Sequence, residues 1–397
     1  MRKEERKITK DVKNQRAEDE IKEHNLIPNW KRSEIQNQKS AFIIAGGGTG
    51  GHLFPGIAVA SELKRRFEKG EILFVVGLQR KESEILSRYG YRVTSIDVEG
   101  LKGRGWKKGF IVLVKLPKSV FQSASIIKEF SPAFVLGMGG YSAGPVCLAA
   151  KFTGVPTAIH EQNSYPGLTN RLLSRFVDRI FVSFEESMAH FKTRSPLLTG
   201  NPVRNEFFSD SGKDHRGRDK FTILVVGGSQ GARAINEVFT EALTYLNSKG
   251  RSFDVVHQTG GRDYQRVVDD YRDKGLEGEP VPFIKDMATA YRFADVVVSR
   301  AGATTIFELA ALGRPSILIP YPYATNQHQE INARNMVRVG GAEMIRQSDL
   351  TGKGLAQTLM KYMDDRPALE EMGKQAKKIG RRDAAKVIVD QLVEMMR

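Results

Sequence analysis

The sequence has very little cysteine and no long hydrophobic run. Cys147 is the only cysteine among 397 residues, so an internal disulfide is excluded and a reducing compartment is favoured. No apolar stretch reaches the roughly 18 residues of a membrane-spanning helix, and the charged-then-apolar pattern of a signal peptide is missing. No group of histidines and cysteines has the spacing of metal ligands, so we expect a site that does not rely on a bound metal.

Positive charge is what the chain has in excess. Lys and Arg total 61 against 46 Asp and Glu, which gives a formal net charge of +15 and a pI near 9.7. This balance favours anionic partners, namely nucleic acid, phosphorylated substrates or an acidic membrane face. The chain is also too long for one hydrophobic core, so we expect two domains.

Short apolar strands alternate with helical stretches along most of the chain. The predicted strands are Ala41–Ala45, Ile72–Val76, Arg92–Val98, Phe134–Gly137, Thr157–Ile159, Arg179–Val182, Leu197–Thr199, Phe221–Val226, Asp254–Gln258, Val296–Ser299 and Ser316–Pro320. This alternation indicates parallel sheets with helices on both faces. We therefore predict an α/β fold with two Rossmann-like, doubly wound domains that face a cleft.

The composition suggests where these domains begin and end. Residues 1–40 are rich in charge of both signs and poor in apolar side chains, which predicts a flexible extension. We expect an N-terminal domain at 41–204, a polar, glycine-bearing linker at 205–220, and a C-terminal domain with terminal helices at 221–397.

The first predicted strand leads into a turn with five glycines, Gly46–Gly51, and His52 then opens a helix. Such a turn directs backbone N–H groups and a positive helix end at one point, which suits a phosphate. The turn satisfies the dinucleotide pattern GxGxxG, but Gly77–Gln79 stands where the ribose-binding acid belongs. A P-loop is excluded because no Gly-Lys-Ser/Thr follows. A tight structural turn without a ligand is the remaining alternative.

Similar loops follow three other strands. They are Gly137–Gly144, Gly227–Gly231 and Ser299–Thr305, the last of which opens a helix that carries Glu308. Ligands of open parallel sheets bind beyond the carboxyl ends of the strands. Four such loops therefore favour more than one phosphorylated ligand.

Seven segments of the chain resemble, in order, the signature segments of the MurG family, bacterial N-acetylglucosaminyltransferases of peptidoglycan synthesis. They are GGGTGGHLFP, GMGGYSAGP, IHEQNSYPGLTN, TGNPVR, GGSQGA, SRAGATTIFELAALGRP and NQHQEINA. The resemblance runs from about Ala41 to the C-terminus and leaves residues 1–40 out. It departs at Thr304, where many members have an aliphatic residue, and at Pro320–Gln329, which is slightly longer than in some relatives.

The resemblance implies a GT-B enzyme that transfers N-acetylglucosamine from UDP-N-acetylglucosamine to a lipid-linked muramyl-peptide acceptor. Inversion would give a β-1,4 link on the muramyl sugar of the polyprenyl diphosphate, converting lipid I to lipid II. The donor would lie in the second domain and the acceptor in the first, at the cytoplasmic face of the membrane. No cofactor is required, although a loosely bound Mg²⁺ on the diphosphate is compatible. Other cell-wall synthesis proteins are further candidate partners.

The same resemblance implies a set of donor-binding residues. They are Thr49, Gly50, Gly51, Asn163, Arg204, Ser229, Ile284, Ala303, Thr304, Thr305, Ile306, Phe307, Glu308 and Gln329. Within this set we expect Glu308 to accept from both ribose hydroxyls and Arg204 to neutralise the leaving diphosphate. The alternatives are ordinary ones, such as helix capping by Ser229 or a solvated surface arginine.

His52 is the candidate general base. It is the only histidine between a phosphate-type glycine loop and a helix start, and an inverting displacement needs a group that takes the acceptor's proton. The positive helix end disfavours imidazolium and so keeps the ring neutral. Positioning the acceptor diphosphate, orienting a carboxylate or capping its own turn are the other roles for this ring.

The segment Leu101–Phe130 predicts contact with an anionic membrane surface. Its apolar residues are Trp106, Phe110, Ile111, Leu113, Val114 and Phe121, and its basic ones are Lys102, Arg104, Lys107, Lys108, Lys115 and Lys118. Apolar anchors among lysines suit acidic lipid. A core helix with one solvated face is the alternative.

Two other functions stay open at this point. One is another GT-B nucleotide-sugar transferase that acts on a glycolipid, and the other is a non-catalytic nucleotide-binding regulator. No nucleic-acid-binding motif is recognisable, so we expect no nucleic-acid partner.

Overall fold

The computed structural model describes residues 40–78, 80–98, 105–209, 220–228 and 231–396, and for residues 80–81 and 105–114 it describes the backbone alone. The strands are β1 Ala41–Ala45, β2 Glu71–Val76, β3 Arg92–Ser95, β4 Phe134–Gly137, β5 Thr157–Glu161, β6 Arg179–Val182, β7 Leu197–Leu198, β8 Phe221–Val226, β9 Phe253–Gln258, β10 Glu279–Val281, β11 Val296–Ser299, β12 Ser316–Leu318 and β13 Glu343–Met344.

The helices lie between these strands. They are α1 Gly50–Arg66, α2 Arg80–Arg88, α3 Gly105–Phe130, α4 Ala143–Phe152, α5 Leu168–Leu173, α6 Glu185–Met188, α7 Arg233–Ser248, α8 Tyr264–Asp273, α9 Met287–Phe293, α10 Ala303–Leu312, α11 His328–Arg338, α12 Gly352–Asp364, α13 Arg366–Lys377 and α14 Ala384–Glu394. Short 3-10 turns occupy Asn205–Phe207 and Thr325–Gln327.

The described strands form two parallel sheets, as the alternating pattern predicts. The first has seven strands in the order β3-β2-β1-β4-β5-β6-β7, and the second has six in the order β10-β9-β8-β11-β12-β13. Strand order reverses between β1 and β4 and again between β8 and β11, so a crevice opens at each of these points. The loops after those strands begin side by side, because Ala45 pairs with Gly137 and Val226 pairs with Ser299.

Two edge strands, β10 and β13, were not predicted. Glu279–Val281 contains Pro280, and Glu343–Met344 is two residues long, so neither has the apolar run by which a buried strand is recognised.

The central strands of each sheet are buried on both faces. In β1, Phe42 and Ile44 belong to one core, while Ile43 and Ala45 belong to the core on the opposite face. Side chains alternate along a strand, so burying both faces requires a continuous apolar sequence such as AFIIA. The second sheet repeats this arrangement in β8, whose six residues are all buried.

The last helix differs from the sequence expectation. We expected the terminal helices to belong to the C-terminal domain, but α14 packs against the core of the N-terminal domain through Ile388, Val389, Leu392 and Val393. Its apolar residues recur at helical spacing and so form a stripe that α1 covers. An ion pair of 2.5 Å between Arg66 and Asp390 fixes this contact at its edge. The other predicted domain boundaries stay predictions, since residues 210–219 of the linker lie outside the described ones.

Candidate active site

The first glycine loop ends in an uncapped helix start. Thr49 precedes α1 with extended backbone, and its side chain makes no capping hydrogen bond. The N–H groups of His52 and Leu53 donate to the Thr49 carbonyl at 3.2 and 3.3 Å. The N–H groups of Gly50 and Gly51 precede these bonds, so they face the open end of the helix where an anion binds.

The second glycine loop packs directly against the first. Gly140 has a φ of +79°, and a Cβ there would collide with the carbonyl oxygen of Gly47. Gly139 has a φ of +90°, and a Cβ there would lie 3.0 Å from His52 Nδ1. Both positions therefore require glycine, and the ring of His52 lies against the second loop.

Two buried side chains continue from His52 into the N-terminal domain. His52 Nδ1 lies 2.9 Å from Gln162 Oε1. Gln162 is 1% exposed, and its Nε2 lies 2.9 Å from the Met138 carbonyl oxygen and 3.0 Å from His160 Nδ1. Complete burial lowers the pKa of His160 to about 4. The predicted base is thus held by a neutral amide and a neutral imidazole.

Glu308 is the ionisable group on the C-terminal side of the cleft, on the second turn of α10. Its side chain is buried, and burial raises its pKa to about 7. The Arg204 guanidinium opposes this shift, because Arg204 Nη2 lies 3.2 Å from Glu308 Oε1. Unlike His52, this group is held by an opposite charge.

Arg204 joins the two domains. Its Nη1 donates to the Tyr89 hydroxyl at 2.7 Å and lies 2.8 Å from Glu206 Oε1. Its guanidinium carbon lies 4.3 Å from the ring centroid of Phe54, on the first helix of the N-terminal domain. Arg204, which is predicted to bind the diphosphate, therefore contacts both sides of the cleft. It packs on the aromatic face of Phe54 and pairs with the carboxylate of Glu308.

A direct bond crosses the cleft beside the predicted base. Thr304 Oγ1, at the start of α10, donates to the Gly51 carbonyl at 3.1 Å. Gly302 precedes α10 without a side-chain capping bond, just as Thr49 precedes α1. Two helix N-termini without side-chain caps thus meet at one point, and Thr304 makes the contact.

A second polar seam joins α11 to the N-terminal domain. Asn332 Nδ2 donates to Asn163 Oδ1 at 3.3 Å, and Asn332 Oδ1 accepts from the Ser164 N–H at 2.9 Å. On the same helix, Gln329 Oε1 accepts from the Tyr321 N–H at 2.9 Å and so fastens the loop before it. Helix α11 therefore contacts Asn163 through Asn332 and carries Gln329, whose bond is to a loop of its own domain.

The remaining predicted residues divide into two groups. Ala303, Thr305, Ile306 and Phe307 lie on α10 with Glu308, and Ile284 follows β10 with its N–H donating to Gln258 Oε1 at 2.9 Å. Ser229 lies outside the described residues, as does Leu101–Arg104 of the predicted membrane segment. The side chains of Trp106–Val114 are likewise outside the description, whereas Phe121 is 79% exposed.

Sequence reasoning missed three buried polar side chains. Glu82, on α2, accepts a hydrogen bond from the Gly48 N–H, and burial raises its pKa. Glu161 accepts from the Asn163 N–H, Asn163 Nδ2, the Gly167 N–H and Asn170 Nδ2 at 2.8–3.2 Å. Gln162 is the third. Polar residues that directly follow the apolar part of a buried strand were the available signal for Glu161 and Gln162, whereas Glu82 gave none.

Two absences concern only the described residues. Within them, no three His, Cys, Asp or Glu side chains lie close enough to hold a metal ion. None of the helices described is long and apolar enough to cross a membrane.

Comparison with known proteins assigns both halves of the chain to one family. Residues 42–182 match the glycosyltransferase family 28 N-terminal domain, and residues 222–388 match the C-terminal domain of the same family. A protein of Syntrophus aciditrophicus is 46% identical over 89% of this chain and 98% of its own length. One of Myxococcus xanthus is 45% identical over 89% of this chain and 92% of its own.

Both relatives carry the name UDP-N-acetylglucosamine–N-acetylmuramyl-(pentapeptide) pyrophosphoryl-undecaprenol N-acetylglucosamine transferase. The crystal structure of Acinetobacter baumannii MurG superposes with a TM-score of 0.72 at 31% identity, covering 90% of this chain and all of that one. The resemblance noted in the sequence is thereby confirmed, as is the predicted fold class. The chain belongs to the MurG family of GT-B glycosyltransferases, within glycosyltransferase family 28.

Proposed function

We propose that this cleft transfers N-acetylglucosamine from UDP-N-acetylglucosamine to the muramyl sugar of a polyprenyl-diphosphate-linked muramyl peptide. The names of relatives 46% and 45% identical to this chain support the substrates. The observation that carries the proposal for this chain's own residues is the bond from Thr304 to Gly51, 3.1 Å long. It joins the donor-side helix start to the residue that precedes His52.

The chemistry is a single displacement. The acceptor hydroxyl oxygen attacks the anomeric carbon of N-acetylglucosamine, its proton passes to His52 Nε2, and the bond from that carbon to the UDP oxygen breaks. UDP leaves with the bonding electrons, and the anomeric centre inverts. The uncapped starts of α1 and α10 and the guanidinium of Arg204 are the groups that we assign to the phosphate charge.

On the donor side we assign the ribose to Glu308 and the uracil to the backbone of Ile284. The Ile284 N–H already donates to Gln258, so we assign the Ile284 carbonyl oxygen to the contact with uracil. The donor roles of Thr49, Asn163, Ser229 and Gln329 are proposed on the family motif alone.

Product formation tests this function directly. The purified protein is incubated with UDP-N-acetylglucosamine and a lipid-diphosphate muramyl-peptide acceptor, and UDP release and the disaccharide lipid are both measured. We expect both products in equal amounts, and only when donor and acceptor are present together. UDP release without the acceptor, or equal activity with an unrelated glycolipid acceptor, would overturn the proposed substrates.

We also propose that the protein binds the cytoplasmic face of the cell membrane peripherally, through the segment Leu101–Phe130. The exposed ring of Phe121 supports an apolar anchor, and the side chains of Lys115 and Lys118 on the same helix are 35% and 65% exposed, although both also pair with Asp97. Basic residues near acidic lipid contribute about 1 kcal/mol each. Sedimentation with vesicles tests this, and binding that ignores both acidic lipid content and salt would count against it.

A further inference from the structure

A chain of hydrogen bonds runs from His52 through Gln162 and His160 to the Gly200 carbonyl oxygen. The donor and acceptor of each bond can be assigned by starting from that carbonyl oxygen. His160 Nε2 lies 3.1 Å from the Gly200 carbonyl oxygen. A carbonyl oxygen can only accept, so Nε2 of His160 carries the proton of the neutral ring and Nδ1 carries the lone pair. Burial keeps this ring neutral, since it lowers the pKa of His160 to about 4.

The lone pair on His160 Nδ1 fixes the orientation of the Gln162 amide. Its Nε2 lies 3.0 Å from His160 Nδ1 and 2.9 Å from the Met138 carbonyl oxygen, and both of these partners are acceptors. The amide nitrogen must therefore occupy that side, which resolves the orientation of the amide from its network. The amide oxygen is left facing His52 at 2.9 Å. An amide oxygen can only accept, so His52 Nδ1 carries the proton.

We propose that Gln162 is a positioning residue that fixes His52 as the Nδ1–H tautomer and so turns the Nε2 lone pair toward the acceptor hydroxyl. This inference rests on the proposed role of His52 as the base. An unrestrained neutral imidazole in water favours the opposite, Nε2–H tautomer, which has no lone pair on the nitrogen that must take the proton. Gly139 supports the arrangement, because it lets the ring edge lie against the second glycine loop.

The C-terminal domain contains a similar pair of an amide and a histidine, beside its own glycine loop. His257 Nε2 lies 3.0 Å from Asn236 Oδ1, and Asn236 Nδ2 donates to the Thr259 carbonyl and to Asp263 Oδ2, each at 3.0 Å. This amide also binds a buried histidine through its oxygen and two acceptors through its nitrogen. It serves as a control for the structural cost of removing such an amide.

The experiment reads the tautomer and the rate separately. Protein labelled with ¹⁵N-histidine is studied by long-range ¹H–¹⁵N correlation, and the His52 signals are those lost in His52→Ala. We expect a protonated Nδ1 and an unprotonated Nε2 at His52 in the unaltered protein. In Gln162→Met the His52 signals should move toward the Nε2–H form. The kcat should fall at least about tenfold, toward the ~10⁴-fold that a wrong tautomer costs in serine proteases.

Two further variants separate positioning from general disruption. Gln162→Glu, with its buried carboxyl group protonated, keeps an oxygen facing His52 Nδ1 and an O–H that can donate to His160 Nδ1, so we expect it to retain the tautomer and more of the kcat than Gln162→Met. Asn236→Leu should lower the melting temperature while the His52 tautomer stays unchanged, since Asn236 lies in the other domain and makes no contact with His52 or Gln162. The KM for the donor should stay within about twofold in both Gln162 variants, because neither alters the donor domain.

Each result decides the matter. An Nε2–H signal for His52 in the unaltered protein would overturn the proposal even if every variant fails to fold. A loss of kcat in Gln162→Met with an unchanged tautomer would also overturn it, because the role would then be structural. The predicted tautomer together with full kcat in His52→Ala would support the hydrogen-bond assignment and overturn the role of His52 as base, so the two failures are distinguishable.

Discussion

The two sides of the cleft hold their ionisable groups by different means. On the N-terminal side, His52 is held by the neutral amide of Gln162 at 2.9 Å. On the C-terminal side, Glu308 is held by the charged guanidinium of Arg204 at 3.2 Å. A neutral partner orients a ring without stabilising either charge state strongly, which suits proton transfer. A charged partner favours the ionised carboxylate, which suits acceptance of hydrogen bonds from ribose hydroxyls.

The comparison extends to a second buried carboxylate. Glu82 lies beside the first glycine loop and accepts from the Gly48 N–H, but it has no cationic partner among the described side chains. Glu308 is as deeply buried and has one. Among the described residues, the N-terminal side of the cleft therefore combines neutral groups with two buried acids, Glu82 and Glu161, that accept from neutral N–H groups, whereas Glu308 on the C-terminal side is paired with a cation.

The sharpest test of the comparison is His52→Ala. If His52 is the proton acceptor, kcat should fall by roughly 10²–10⁴-fold, the usual worth of a general base. The Kd for UDP-N-acetylglucosamine should stay near that of the unaltered protein, because the donor lies on the other side. Steady-state rates and calorimetric titration with the donor measure the two effects.

His190→Ala is the matched control for His52→Ala. This histidine belongs to the same domain, but it is exposed and its ring packs against Tyr165. We expect kcat to stay within about twofold, as for surface substitutions in general. If His52→Ala lowers kcat by less than about tenfold, His52 is not the proton acceptor on the N-terminal side of the cleft.

The donor side is tested by Glu308→Ala. A hydrogen bond to a charged group contributes about 1.5–3 kcal/mol, so losing the ribose contact should raise the donor KM by roughly 10–10²-fold. Glu206→Ala is the control, since Glu206 also pairs with Arg204 at 2.8 Å but is far more exposed. Its donor KM should change by no more than about twofold. Unchanged KM and kcat in Glu308→Ala would contradict the assignment.

The pH dependence of donor binding should come from the same carboxylate. Burial raises the pKa of Glu308 to about 7, so the carboxyl group gains a proton as the pH falls below 7 and loses capacity to accept from ribose. The groups that face it are Arg204, Glu206 and Tyr291. The donor KM should rise below pH 7, by up to about tenfold per pH unit. Glu308→Gln should lack this rise, and a rise that persists in Glu308→Gln would assign it to another group.

The sequence predicted the elements of the fold well because the central strands of both sheets are buried on both faces. Strands such as Phe221–Val226 are continuous apolar runs bounded by glycine turns, which are local signals. Helix α14 was assigned to the wrong domain. Its apolar stripe indicates that one face of the helix is buried, but it does not indicate which domain covers that face. The partner of a helix is a long-range property that spacing alone does not contain.

The candidate site was predictable to a similar degree. His52, Thr304 and Glu308 stand at strand ends and helix starts, where a sequence pattern marks them. Gln162 and Glu82 act through neighbours distant in the chain, namely His52 and Gly48. Arg204 bonds to Tyr89 on the N-terminal side of the cleft and to Glu308 on the C-terminal side. Such partnerships depend on how the elements pack and could not be read from one chain's local pattern.

The smallest expected effect concerns stability, in Glu82→Gln. Burial raises the pKa of Glu82 above its unfolded value of about 4.3, so the native state binds the proton more tightly than the unfolded state does. Stability is then fully present at low pH and is lost as the pH rises through the native pKa. Glutamine keeps the oxygen that accepts from the Gly48 N–H and carries no charge. At pH 8 the variant should be more stable, by an amount of the order of 1 kcal/mol, and the difference should vanish near pH 4. Urea unfolding at both pH values measures this difference. A variant less stable than the unaltered protein at pH 8 would mean that the Glu82 carboxylate is stabilised by a positive group, and the two sides of the cleft would then be alike in this respect.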